Sequence, residues 1–345
     1  MRHIIYILIW LLLLTIPVQA QNPQKLSLIT TKNANNIEAI HRLEFNDFAP
    51  RIEWSPNGNY LAINQQTKTV ILNAQLDEII NFPEQIQNII WSPNGNFFAY
   101  ITTENTLSWL VIMETLNWSK VYELELPSEA ICYCYLAWSP NNNYLAANFY
   151  GILMIWNFSE VPYPHLSSYW LIENEEAISN PISWSQDEKY LSGYRPVFAI
   201  QDGGAVIIKI LDIENKSTFV ELTGLIGANT WTSNSNLLAI VDWNQIRVID
   251  INTQSETLRT NDLPGFPHDL AWSPDGSLLA VPISGSGVDW SIRIIDIETR
   301  DEVAILIAHS ADVEHISWSA DGTKIASSDR NGNVIIWGIP EPNQP

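Results

Sequence analysis

A nine-residue pattern recurs seven times in this chain, so any fold it adopts must contain seven equivalent units. The copies read WSPNGNYLA from Trp54, WSPNGNFFA from Trp91, WSPNNNYLA from Trp138, WSQDEKYLS from Trp184, WTSNSNLLA from Trp231, WSPDGSLLA from Trp272 and WSADGTKIA from Trp318. The tryptophans stand 37, 47, 46, 47, 41 and 46 residues apart, enough chain for one supersecondary unit each. Each copy has the same physical reading. An alternating apolar run ends at the tryptophan, Ser-Pro leaves the extended segment, and Asn-Gly or Asp-Gly makes a tight turn in which glycine accepts a positive φ that other residues resist. A second extended segment then begins with Tyr-Leu-Ala or a near equivalent.

A third apolar strand follows, as TVILN (69–73), ILMIWN (152–157), VIIKILD (206–212), IRVID (246–250), IRIID (292–296) and VIIWG (334–338). A fourth, more polar strand closes the unit, as in KVYELEL (120–126) and EVAILIA (302–308). Four strands per repeat without helical periodicity predict an all-β fold of radially stacked, antiparallel, four-stranded sheets. On these motifs the chain resembles the WD-repeat β-propellers from about Ile37 to Ile339, and its WSPDG-x-LA stretch is also similar to TolB-like propellers and those of prolyl oligopeptidases. The resemblance implies a seven-bladed β-propeller. It also implies that IEAIHRLEF (37–45) closes the ring as the outer strand of the last blade. The repeat residues Trp54, Trp91, Trp138, Trp184, Trp231, Trp272 and Trp318 then pack between blades and are structural.

Repeats of this family often carry a hydrogen-bonded His, Ser or Thr, Asp and Trp that pin each blade. His309, Ser328, Asn331 and Trp337 stand at the matching places of the last repeat. Asn331 puts a neutral amide where the family has a carboxylate, which predicts a weaker network. Blade three keeps Trp156 but has Tyr150 at the acidic position, and the Trp-Asp ending is dispersed among Trp156-Asn157, Leu211-Asp212, Ile249-Asp250, Ile295-Asp296 and Trp337-Gly338. The chain is therefore expected to be a divergent member, with His309 structural.

Ahead of the repeats, Arg2 and His3 precede an apolar run from Ile4 to Ile16 and a Pro17-Val18-Gln19-Ala20 exit. That is a signal-peptide layout with cleavage before Gln21, and the run falls short of the roughly 20 residues of a membrane span. The expected organisation is a signal at 1–20, a linker at 21–36, the propeller at 37–339 and a tail at 340–345. An exported monomer is expected, periplasmic or extracellular, with no membrane span after cleavage. Lys and Arg number 17 against 38 Asp and Glu, a formal charge of −21. A surface of that sign repels phosphate backbones and anionic lipid, which argues against nucleic-acid and membrane-surface roles. Cys132 and Cys134, two apart in an apolar run, are read as reduced buried thiols, since a bridge between such neighbours is strained.

Sequence motifs for catalysis are lacking. Ser284-Gly285-Ser286-Gly287 does not fit G-x-S-x-G. The Asp-Gly turns lack calcium-loop spacing, and six scattered histidines with no paired-cysteine pattern give no zinc site. No cofactor and no metal are expected. Loops joining strand four to strand one and strand two to strand three share one face, and three of them are long or aromatic: 193–204 with Tyr194, Arg195 and Phe198, 261–268 with Phe266 and His268, and 284–290 with Trp290. Aromatic and Arg residues suit interface hot spots, so these six are the candidate binding patch. The insertion VPYPHLSSYW (161–170) joins strands three and four and falls toward the opposite face. The expected function is a non-catalytic platform that binds a protein or peptide. A propeller lactonase, a glycan-acting hydrolase or a glycan-binding module are the alternatives, and carboxylates or histidines converging in one pocket would favour an enzyme.

Overall fold

The computed structural model describes residues 25–45, 48, 50–82, 86–104, 107–126, 135–149, 152–158, 169–172, 179–194, 206–224, 228–233, 236–285, 287 and 289–341. Seven four-stranded antiparallel sheets make up the molecule, each with its strands in chain order except the last. Blade one, for example, consists of Arg51–Trp54, Tyr60–Asn64, Thr69–Asn73 and Glu78–Phe82. The innermost strands of the other blades are Ile86–Trp91, Tyr135–Trp138, Ser179–Trp184, Asn229–Trp231, Ala271–Trp272 and Val313–Trp318.

The repeat motif builds the hairpin that follows each innermost strand. In six repeats the serine after the tryptophan accepts a main-chain N–H from the residue five positions on, at 2.8 to 2.9 Å. In five of them its hydroxyl donates to the Asn or Asp two positions on. These serines are fully buried, so the paired bonds also satisfy a polar group that would otherwise be stranded. The turn residue has a positive φ: Gly58 at 71°, Gly95 at 70°, Gly276 at 71° and Gly322 at 68°. Asn142 and Glu188 take the same conformation, at 62° and 59°, where the motif has lost its glycine.

The apolar faces of successive blades form the core. Blades six and seven share one cluster that includes Ile292, Ile294, Val313, Trp318 and Trp337, and equivalent clusters fill the other junctions. All seven repeat tryptophans are buried. Five of them donate the indole N–H to the carbonyl of the residue before the tryptophan of the preceding blade: Trp91 to Glu53, Trp184 to Ala137, Trp231 to Ser183, Trp272 to Thr230 and Trp318 to Ala271. The indole nitrogens of Trp54 and Trp138 have no such partner among the described residues.

The ring closes as the sequence predicts. Glu38–Glu44 pairs antiparallel with Asn333–Gly338, with Ala39 opposite Trp337 and Leu43 opposite Val334, and so completes blade seven. The expected linker is a correction, because from Lys25 onward it belongs to the fold. Ser27 N–H donates to Ile339 O at 2.8 Å and Ile29 N–H to Gly322 O at 3.0 Å. Ile29 and Ala34 are buried in the core of blades six and seven. Leu26, Leu28, Ile29 and Ala34 are the apolar residues of this otherwise polar stretch. Residues 1–24, Cys132, Cys134, Tyr150 and most of the 161–170 insertion lie outside the described residues.

The blade-seven network also differs from the expectation. His309 Nδ1 lies 3.0 Å from Asp329 Oδ2 and Nε2 lies 2.6 Å from Ser327 Oγ, while Trp337 Nε1 donates to Ser327 Oγ at 2.7 Å. Ser327 and Asp329 take the places expected of Ser328 and Asn331. Side chains alternate along a strand, so Ser327 and Asp329 share one face of Lys324–Asp329 and Ser328 points to the other. Ser328 Oγ donates instead to Pro50 O at 2.6 Å, and exposed Asn331 donates only its main-chain N–H to Asp329. The carboxylate expected to be missing is therefore present, two residues earlier. Burial alone would raise the Asp329 carboxyl, but hydrogen bonds from His309 and Asn333 outweigh it and hold it below the ordinary aspartate value.

Candidate functional site

Two places gather chemistry-bearing side chains, one on a face of the disc and one on its axis. The face site is made by loops that join blades or connect second to third strands. Residues 261–268 enter blade six, and 283–290 connect its second and third strands. A pair of main-chain hydrogen bonds between Phe266 and Ser284 clips these two loops together. Ser284 Oγ donates to Val313 O and Gly285 N–H to Asp312 Oδ1, which ties the clip to blade seven. The loops are thus fixed to sheets by named bonds.

Phe266, His268 and Trp290 line a single cavity of about 760 Å³ together with Phe48, Asp312 and Arg330. Phe48 is 56% exposed and Phe266 50%, and the guanidinium of Arg330 sits 5.9 Å above the Phe48 ring. Arg330 also pairs with Asp312 at 2.9 Å and with Glu314, so it is held in place. Trp243, 61% exposed with φ of 58°, extends the patch into blade five, its ring 6.4 Å from that of Phe266.

Of the six residues predicted to form the patch, the structure brings together Phe266, His268 and Trp290. Tyr194 is a correction. It ends the strand Tyr190–Tyr194 on the inward side, is 3% exposed, and packs with Ile208, Ile210 and Trp231 between blades four and five. Arg195 and Phe198 lie outside the described residues. Sequence reading missed Phe48, Trp243 and Arg330. Trp243 carried a signal, since a bulky residue at a tight turn in place of Gly or Asn gains nothing for the turn.

The axial site follows from strand alternation. Residues one and three positions before each repeat tryptophan face the axis, while the tryptophan faces the preceding blade. The inner ring holds Glu53, Ile90, Ala137, Ser183, Thr230, Ala271 and Ser317, and all seven line one cavity of about 410 Å³. Glu53 is its sole ionisable member. Three positions back, Arg51 and Asp269 line the same cavity. Arg51 lies over the Tyr135 ring at 5.1 Å. Asp269 accepts from Ile316 N–H at 3.1 Å and stands 3.6 Å from His315 Nδ1. Burial pushes the Glu53 carboxyl up to about 7, against the lowering effects of Arg51 and of a main-chain hydrogen bond from Trp91, and with a further raising effect from Asp269. Among the described residues no three His, Cys, Asp or Glu side chains form a group able to hold a metal ion.

Comparisons with known proteins agree with the fold. The family described as WD domain, G-beta repeat, matches residues 257–296 and 300–338, the last two repeats. Transducin beta-like protein 3 of Rattus norvegicus is 35% identical over 94 residues, 27% of this chain and 12% of that protein. Autophagy-related protein 18 of Dictyostelium discoideum is 25% identical over 138 residues, 39% of this chain and 36% of that protein. These matches therefore span well under half the length of the relatives. A chain in a structure entitled "Crystal Structure of Mitotic Checkpoint Complex" superposes with a TM-score of 0.66 at 15% identity, covering 99% of both chains. At that identity the likeness concerns the fold alone.

Proposed function

The chain is a divergent member of the WD-repeat β-propeller family, whose members typically serve as protein-interaction scaffolds, and we propose that it binds a protein or peptide through the face of blades five to seven. The observation that carries this reading is the exposure of Phe48 and Phe266 in one cavity, with exposed Trp243 beside Phe266 and the Phe266 loop locked to the sheets. Exposed aromatics grouped this way retain a large apolar area in water. Burying it against a partner supplies affinity, and rigid loops lower the ordering cost. The test compares wild type with a Phe48→Ala, Trp243→Ala, Phe266→Ala triple variant in capture from extracytoplasmic fractions, followed by titration with the recovered protein in purified form. Saturable binding lost in a variant that still melts at the wild-type temperature supports the reading. Equal binding by both overturns it.

The reading includes export to a periplasmic or extracellular space, supported by the apolar N-terminal run and its small-residue exit. Mass spectrometry of the protein from its own cells checks it, with Gln21 as the expected first residue. A second reading, a hydrolase acting at the axis, is favoured by Glu53 and Asp269 lining one cavity. Turnover of a lactone or glycan that disappears in both Glu53→Gln and Asp269→Asn would support it.

A further inference from the structure

The axial cavity contains a carboxyl group that the scaffold holds by a single main-chain hydrogen bond. Glu53 lies deep on the axis, where its carboxyl accepts one hydrogen bond, from the main-chain N–H of Trp91, and feels the charge of Arg51. Of the nearby charged groups, Arg51 acts on this carboxyl and also lies over the Tyr135 ring, while Asp269 is engaged with His315 and the Ile316 N–H. One main-chain donor leaves most acceptor sites of a carboxylate open, and native interiors normally fill them. The same ring offers the hydroxyls of Ser183, Thr230 and Ser317. Its remaining members, Ile90, Ala137 and Ala271, bring no charge and, at the alanines, little volume.

We propose that the axial cavity is a binding site for a primary ammonium group, with the Glu53 carboxylate as counter-charge and the Ser183, Thr230 and Ser317 hydroxyls as further acceptors. A compact ammonium carries three donors and no acceptor, which matches one carboxylate surrounded by hydroxyl oxygens. A volume of about 410 Å³ accommodates an amine with several carbons, since a water occupies roughly 30 Å³. The ammonium belongs either to a free small amine or to a lysine side chain entering from the face. Neither source depends on the aromatic patch.

The experiment is calorimetric titration of the full chain at pH 8 with n-butylammonium chloride and, separately, with the tripeptide acetyl-Gly-Lys-Gly-amide. Saturable binding of either probe is expected, weakened at least tenfold in Glu53→Gln and severalfold in Thr230→Val, with no binding of n-butanol. Butylammonium alone binding identifies a free amine as the occupant, and the tripeptide alone a lysine. Binding should tighten from pH 6 to pH 8, because an ammonium selects the ionised Glu53 and that carboxyl, near Arg51 and Asp269 with His315 beside Asp269, titrates near 7. The Phe48, Trp243, Phe266 triple variant should bind the amines normally, so failure of the face reading is separable. Absence of saturable binding of both probes to folded wild type overturns the proposal, as does equal binding by wild type and Glu53→Gln or, should that variant not fold, Thr230→Val.

Discussion

The indole N–H of Trp184 donates to the main-chain carbonyl of Ala137, 2.9 Å away in the preceding blade. The residue that marks each repeat in the sequence is thus also the one that ties the repeat to its neighbour. The same bond recurs at four other junctions and is absent at Trp54 and Trp138. Junctions of one architecture therefore differ by one buried hydrogen bond.

Replacing tryptophan by phenylalanine removes the same atoms at either kind of junction, but at Trp184 it forfeits the buried bond to the Ala137 carbonyl, whereas at Trp138 it removes an indole N–H without a partner among the described residues. Trp184→Phe is expected to destabilise the protein by about 1 to 2 kcal/mol more than Trp138→Phe. Urea unfolding of the two variants checks this, and equal losses would show that the bond contributes nothing.

In blade seven, Ser327→Ala strands both the His309 ring nitrogen and the Trp337 N–H in a buried site. The expected loss is about 2 to 3 kcal/mol, against about 1 kcal/mol for Ser328→Ala, which forfeits one bond to Pro50. Asn331→Ala, at an exposed side chain, should fall within roughly 0.5 kcal/mol of wild type. A thermal-melt series reads the order of the three, and a large loss at Asn331 would return the network to the residues the family pattern suggested.

Stability should also report on Glu53. Its carboxyl titrates near 7 in the folded protein against an ordinary value of 4.5, so the native state holds a proton that the unfolded chain gives up. The resulting stabilisation is complete below about pH 4.5 and is lost as the pH rises toward and through 7, by no more than about 3 kcal/mol. Glu53→Gln removes this slope, so its advantage over wild type should grow between pH 5 and pH 8. Parallel pH profiles for the two proteins would show that Glu53 ionises normally.

The fold was legible in the sequence because one motif does several jobs at once. Trp, Ser, Asn or Asp, and Gly each make a bond or adopt a φ that the hairpin needs, so the repeat survives where single members drift, as at Asn142 and Glu188. The network in blade seven was misread by one residue at Ser328 and by two at Asn331. The family spacing locates the motif, but strand alternation decides which neighbour faces His309. Tyr194 was misplaced for a related reason: its strand runs further than the loop pattern suggested, and its ring turned into the core. Phe266, His268 and Trp290 were found by composition, whereas Phe48 and Arg330 are far apart in sequence and meet only when the ring closes. The axial cluster of Glu53, Asp269 and His315 could have been found by aligning the seven repeats on their tryptophans and reading one and three positions back.

The account rests most on the aromatic face of blades five to seven. Its most direct test is a titration of the purified partner, recovered by the full chain, against wild type and the Phe48→Ala, Trp243→Ala, Phe266→Ala variant. Three truncated anchors at about 1 to 2 kcal/mol each should weaken binding by at least a hundredfold with the melting temperature unchanged. A partner that binds wild type and variant with the same affinity would contradict the account and move the interface off this face.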